Sequence, residues 1–112
     1  MVRNVYETKV DGKKIGFKCG TMAIAIACRK ADCRTVNELL ARMAEQDLLA
    51  ILALFYGSAC QYFGNEKPDF TMDTVSDWVE AMGEDESQKA TMVLLETFKS
   101  KNVPAPKRGA KK

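Results

Sequence analysis

The chain has 112 residues, 46% of them hydrophobic and 29% charged, the size of one compact domain and a composition outside the disordered class. Its 17 Lys and Arg nearly balance 15 Asp and Glu, for a net charge of +2, and it contains no histidine. That removes the commonest general base near neutral pH and the commonest metal ligand, so the composition argues against an enzyme.

In chain order, two β-prone runs come first, Val5 to Val10 and Lys13 to Cys19, with Asp11-Gly12 between them. That pair supplies the positive φ angles of a two-residue type I′ turn, so a hairpin is predicted within residues 1–19. Two strands alone are marginal, so the ribbon must lie on helices or pair with another chain, and its open edge is a candidate interaction surface. From Gly20 the period changes. Met22, Ile24, Ala25, Ile26, Ala27 and Cys28 run into Arg29 and Lys30, an apolar helix with a cationic end that suits the macrodipole. The segment Asp32 to Thr35 breaks it, and Thr35-Val36-Asn37-Glu38 has the form of a capping box. A second helix is expected over Val36 to Glu45, with Val36, Leu39, Leu40 and Met43 inward.

Asp47 is placed to cap a third helix, LLAILALFYGSACQYF, ending near Gly64-Asn65. At about 1.5 Å per residue this stretch is shorter than a bilayer core, so a buried central helix is expected rather than a membrane span. Thr71 or Asp73 begins a fourth helix with Val75, Trp78, Val79 and Met82 on one stripe and Gly83 at its end. Asp85 and Gln88 resemble another capping pair, ahead of a fifth helix carrying Ala90, Val93, Leu94, Thr97 and Phe98 to about Lys101. Pro104 and Pro106 then end regular structure. The expected fold is mainly α (α+β): one domain over 1–101, hairpin first, then about five short helices, followed by a flexible basic tail over 102–112.

Charge is unevenly spread. Residues 1–18 carry +3, the stretch 66–86 carries −7, and residues 102–112 carry +4. Basic ends flanking an acidic stretch suit complementary contact with like molecules or distinct partners. The four cysteines, Cys19, Cys28, Cys33 and Cys60, contain no C-x-x-C pair, so no zinc knuckle or dithiol redox centre is expected. The N-terminus MVRNVYETKV is charged and alternating rather than a signal sequence, which places the chain in a cytoplasm with reduced, structural thiols.

No Gly-rich phosphate loop, nucleophile elbow or His-based metal motif occurs. Asp73 and Asp77 stand at i, i+4, able in principle to hold a cation or share a proton, but exposed helical carboxylates are ordinarily surface. A cysteine nucleophile would lack a positioned base. No cofactor or metal is expected. The helix, break and second helix between Met22 and Met43 superficially match a helix-turn-helix, yet Val36 to Glu45 offers Arg42 alone as a cation against Glu38 and Glu45, so nucleic acid is disfavoured as a partner.

The order of these pieces, with the segment TVNELLARMAEQDLLAILALFYGSACQYFGNEKPDFTMDTVSDWVEAMGED, resembles the small tail assembly chaperones of tailed bacteriophages. The LLA-LFYG run and the V-x-x-W-V element at Val75 to Val79 give the likeness its character, which covers roughly residues 13–100. The leading hairpin and the four cysteines are not matched features, so the first strands stand outside the inference. The resemblance implies a non-enzymatic protein of the bacterial host cytoplasm, absent from the mature virion. Such proteins bind the long helical tape measure protein and help recruit tail tube subunits. In many members a longer form arises by ribosomal frameshifting, with which the terminal Lys111-Lys112 is compatible. The rival reading is a small bacterial DNA-binding regulator or protein-interaction adaptor. Because aromatic anchors dominate binding hot spots, Tyr56, Phe63, Phe70 and Trp78 are the candidate partner-binding residues, with core packing as the alternative role of each.

Overall fold

The computed structural model describes residues 5–64 and 70–102, with side chains as far as Glu96. A two-stranded antiparallel hairpin, β1 (Val5–Val10) and β2 (Lys13–Lys18), leads into five helices: α1 (Thr21–Ala31), α2 (Val36–Ala44), α3 (Leu48–Phe63), α4 (Met72–Met82) and α5 (Glu84–Asn102). The predicted architecture is therefore the observed one. The expected tail over 102–112 lies, apart from the helical Asn102, outside the described residues, as does the loop at 65–69.

The hairpin turns on Asp11 and Gly12 at φ of 53° and 77°, the two positive angles of the type I′ turn. Its register pairs Tyr6 with Phe17 and Thr8 with Ile15, and directly opposed residues share a face. That face lies on the helices, Ile15 and Phe17 being buried, while Lys9, Lys14 and Lys18 remain exposed. Neither outer edge pairs with a further strand among the described residues. The wet face is covered at one point. A side chain at Gly16 would collide with the ring of Tyr62, whose hydroxyl donates to Glu7 Oε2 at 2.5 Å.

α3 is the hub. Every residue from Ala53 to Cys60 is buried, because the helix has α1 on one side and β2 and α4 on others. The α1 to α3 contact is built of small residues: Ala23, Ala27 and Ala31 on one helix, Ala50, Ala53 and Gly57 on the other, all buried. The N-terminus of α1 has no cap of its own, since Gly20 offers no side chain. Gln61 of α3 supplies one from a distance, its Oε1 accepting from the amides of Gly20 at 3.0 Å and Ala23 at 2.9 Å. At the other end Asp32 takes the left-handed conformation at φ 60°, and the amides of Asp32 and Cys33 donate to the carbonyls of Arg29 and Cys28, the Schellman closure.

The cap predicted at Thr35 forms only in half. Thr35 Oγ1 accepts from the Glu38 amide at 3.1 Å, but the Glu38 carboxylate reaches the Arg34 amide instead of that of Thr35. The reciprocal box appears at α4, where Thr71 and Thr74 cap each other. Asp47 caps α3 as expected, accepting from Leu49 at 3.0 Å and Ala50 at 3.4 Å. Its other oxygen accepts from Arg42 Nε at 2.7 Å. Arg42 also donates to the Ala31 carbonyl at 2.5 Å and to Cys33 Sγ at 3.2 Å, so one guanidinium ties the end of α1 and the start of α3 to α2. Both this pair and the helix amides hold the Asp47 carboxyl below its ordinary range.

The Asp85 and Gln88 cap is a correction. α5 begins at Glu84, immediately after Gly83, and Asp85 lies inside its first turn. The acid that matters there is Glu86, whose Oε2 accepts from Tyr6 at 2.8 Å and Thr8 at 2.7 Å, fastening β1 to α5. Hydrogen bonds from Thr8 and Tyr6 lower the Glu86 pKa, whereas burial and then Glu86 itself push the Tyr6 phenol up to about 12. A lowered carboxyl contributes stability above its unfolded-state pKa and loses it as pH falls through the folded value. A raised phenol contributes below its unfolded-state pKa and loses it as pH climbs towards about 12. Thermal melts of Glu86→Gln against pH should therefore show a flatter acid limb than the parent. Coincident acid limbs would show that this link carries no stability.

No helix among the described residues is long and apolar enough to cross a membrane. All four cysteines are thiols, three buried and Cys28 half-buried. Burial pushes the Cys19 thiol up to about 11, against the opposing hydrogen bond of the buried Ser58 hydroxyl.

Candidate interaction surface

The four aromatics singled out in the sequence come from α3, the segment before α4, and α4, and the structure brings them together around Phe70. Its ring centroid lies 5.8 Å from Tyr56, 5.8 Å from Phe63 and 5.2 Å from Trp78. The edge-to-face and tilted arrangements match the ring quadrupoles. The cluster continues inward, Trp78 lying 6.3 Å from Phe17, and Phe17 lying 5.1 Å from Phe55. It continues outward from Phe63 to Tyr62 at 5.0 Å. The rings thus run from the centre of the core to the surface, and they differ in what they leave for a partner. Tyr56 is 8% exposed and Phe63 45%, with Phe70 and Trp78 half-buried. Lys30 Nζ stands 5.0 Å over the Tyr56 ring, a cation on the face that a partner would otherwise approach.

A second apolar surface lies where the sequence raised no flag. Between the α2 to α3 corner and the α4 to α5 elbow runs a groove of about 760 Å³. Its apolar walls include Met43 and Ile51 on one side and Val79, Met92 and Leu95 on the other. Leu48 and Met92, at 71% and 73% exposure, stand at its margins. Among the described residues the charged side chains lining it are Glu80 and Glu84, with no lysine or arginine. Met92 was missed because it falls off the stripe of Ala90, Val93 and Leu94 that marks the covered face of α5. The available signal was that Met92 continues the apolar surface of α5 beyond the buried Ala90, Leu94 and Leu95.

Among the described residues no group of three or more His, Cys, Asp or Glu could hold a metal ion, and Asp73 and Asp77 are both exposed on α4. A scan of protein-family models gives no match to the chain, and no curated protein or solved structure matches it either.

Proposed function

We propose that this chain is a non-enzymatic tail assembly chaperone of the bacteriophage type, which holds amphipathic helices of a tape measure protein soluble and helps recruit tail tube subunits in the host cytoplasm. The observation that supports it is the apolar groove with Leu48 and Met92 exposed at its edge. Exposed apolar surface of this kind, framed by helices, suits the helix-in-groove mode of recognition. The likeness over residues 13–100 supplies the client class. The nucleic-acid reading draws less support, because Arg42, the cation of α2, is engaged by Asp47, Ala31 and Cys33 and so is not offered to phosphate.

The test is co-expression with a long helical tape measure protein, taken from beside the chain's gene if one is encoded there. The client should shift from the insoluble to the soluble fraction and co-purify with the chain, and the complex should survive a rise in salt. A client that stays insoluble, with a chain that binds duplex DNA at physiological salt, would overturn the proposal.

A further inference from the structure

We infer that the α2 to α5 groove, rather than the aromatic cluster, is where a client is seated, and that its occupant is one amphipathic helix with an apolar stripe flanked by lysine or arginine. This deepens the chaperone reading and rests on it.

The shape of the groove sets the form of the occupant. The α5 wall is lined at positions 84, 87, 88, 91, 92 and 95, the three- and four-residue spacing of a single helix face. The eleven steps of about 1.5 Å from Glu84 to Leu95 make a wall of roughly 16 Å, the length of three helical turns. The opposite wall comes from the last turn of α2 and the first turn of α3, through Met43, Leu48 and Ile51. A helix lying between these walls meets Met43, Leu48 and Ile51 on one flank and, on the α5 flank, Met92 and Leu95 beside the polar Ser87, Gln88 and Thr91. The first turns of its stripe would take the space beside Met92 and Leu95, which an isolated side chain cannot fill.

The rim sets the charge. Glu80 near the end of α4 and Glu84 at the start of α5 put two carboxylates beside the elbow at Gly83, and among the described residues no lysine or arginine lines the groove itself, Lys89 lining instead the smaller hollow that shares Thr91, Met92 and Leu95 with it. Among the described residues neither carboxylate forms an ion pair; the salt bridges there are Lys14 to Glu7 and Arg42 to Asp47. A helix with cations on its flanks is attracted at this rim, and one with carboxylates is repelled. The aromatic cluster has neither property. Its rings already satisfy one another, Tyr56 lies under Lys30, and Phe63 alone among the four is well exposed. The chain's own basic segment, NVPAPKRGAKK, has the charge for the rim but no large apolar residue to fill the walls.

The test uses the full chain and two fluorescein-labelled synthetic helices of about five turns, with the same leucine stripe and either lysine or glutamate flanks. The lysine helix should bind more tightly, by roughly fivefold for two rim pairs of ordinary surface strength. The double variant Glu80→Lys with Glu84→Lys should reverse that preference. Met92→Asp should weaken both helices, and Phe63→Ser should change neither. An unchanged preference in the double variant, or loss of binding in Phe63→Ser alone, would overturn the assignment. So would a parent chain that is dimeric at assay concentration and becomes monomeric in Met92→Asp, since a second copy would then occupy the groove. Tighter binding on removal of residues 103–112 would overturn it too, by assigning the groove to the chain's own end. The co-expression test separates this inference from the reading beneath it. If the double lysine variant and Met92→Asp still solubilise the client, the groove assignment falls and the chaperone reading stands. If the lysine helix binds but no client is solubilised, the chaperone reading falls and the groove remains a cation-selective helix site.

Discussion

Gly57→Val should force α1 and α3 apart and cost more than about 3 kcal/mol of stability. A Cβ on Gly57 points at the carbonyl oxygen of Ala23, with the Ala27 amide nitrogen next to it at 3.1 Å. These are backbone atoms of a helix, which cannot swing aside as a side-chain tip can, so the two helices must separate. Separation undoes the contact of Ala23, Ala27 and Ala31 with Ala50 and Ala53, all at 0 to 1% exposure. Overpacking a tight core commonly costs 1–3 kcal/mol, and an obstacle made of backbone belongs at about 3 kcal/mol for alanine and above that for valine. In an exposed helix the same Gly→Ala change would stabilise by about 1 kcal/mol. Urea unfolding of Gly57→Ala therefore decides by its sign: a clear loss is expected, and a gain would mean that the helices are not in backbone contact there.

Phe17→Ala should be the most damaging truncation in the hairpin. Phe17 is 0% exposed and its ring stands between Phe55 at 5.1 Å and Trp78 at 6.3 Å. Removing it opens a cavity where β2, α3 and α4 meet, a change that costs about 3–5 kcal/mol in comparable cores. That is a large part of the roughly 5–15 kcal/mol by which a domain is stable. Trp78, the single tryptophan, reports on the same spot, and its emission should shift to the red as water reaches it. Phe63→Ala is the contrast. At 45% exposure and on the outside of the ring cluster, it should lose under about 1 kcal/mol. Equal losses for the two variants would contradict a hairpin buried by way of Phe17.

These two residues also mark how far the sequence could be read. Turns and helix ends were legible because they depend on local chemistry: Asp11-Gly12, Asp47, Thr71, Gly64 and Gly83 all stand at the boundaries their side chains imply. What was illegible needed knowledge of a neighbour distant in sequence. Nothing local marks Gly57 inside an apolar helix, and its role appears only when Ala23 is placed against it. Gln61 near the end of the same helix caps α1 across a gap of about 40 residues. Glu86 was one acid in a charged run until β1 brought two hydroxyls to it. The aromatic candidates were partly legible: their convergence followed from packing three segments together, but periodicity alone could not say that Tyr56 faces inward while Phe63 faces out. The groove was hidden for a related reason. An apolar residue signals burial, and the sequence does not say that on α5 the rest of the chain covers Leu95 but leaves Met92 exposed.

The most direct measurement is amide hydrogen exchange on the full chain with and without its soluble helical client. Slowed exchange should concentrate at the end of α2, the start of α3 and the α4 to α5 elbow, with the hairpin unchanged. Protection confined to the hairpin edge, or an exchange pattern indifferent to the client, would contradict a protein that works by covering another chain's apolar helix.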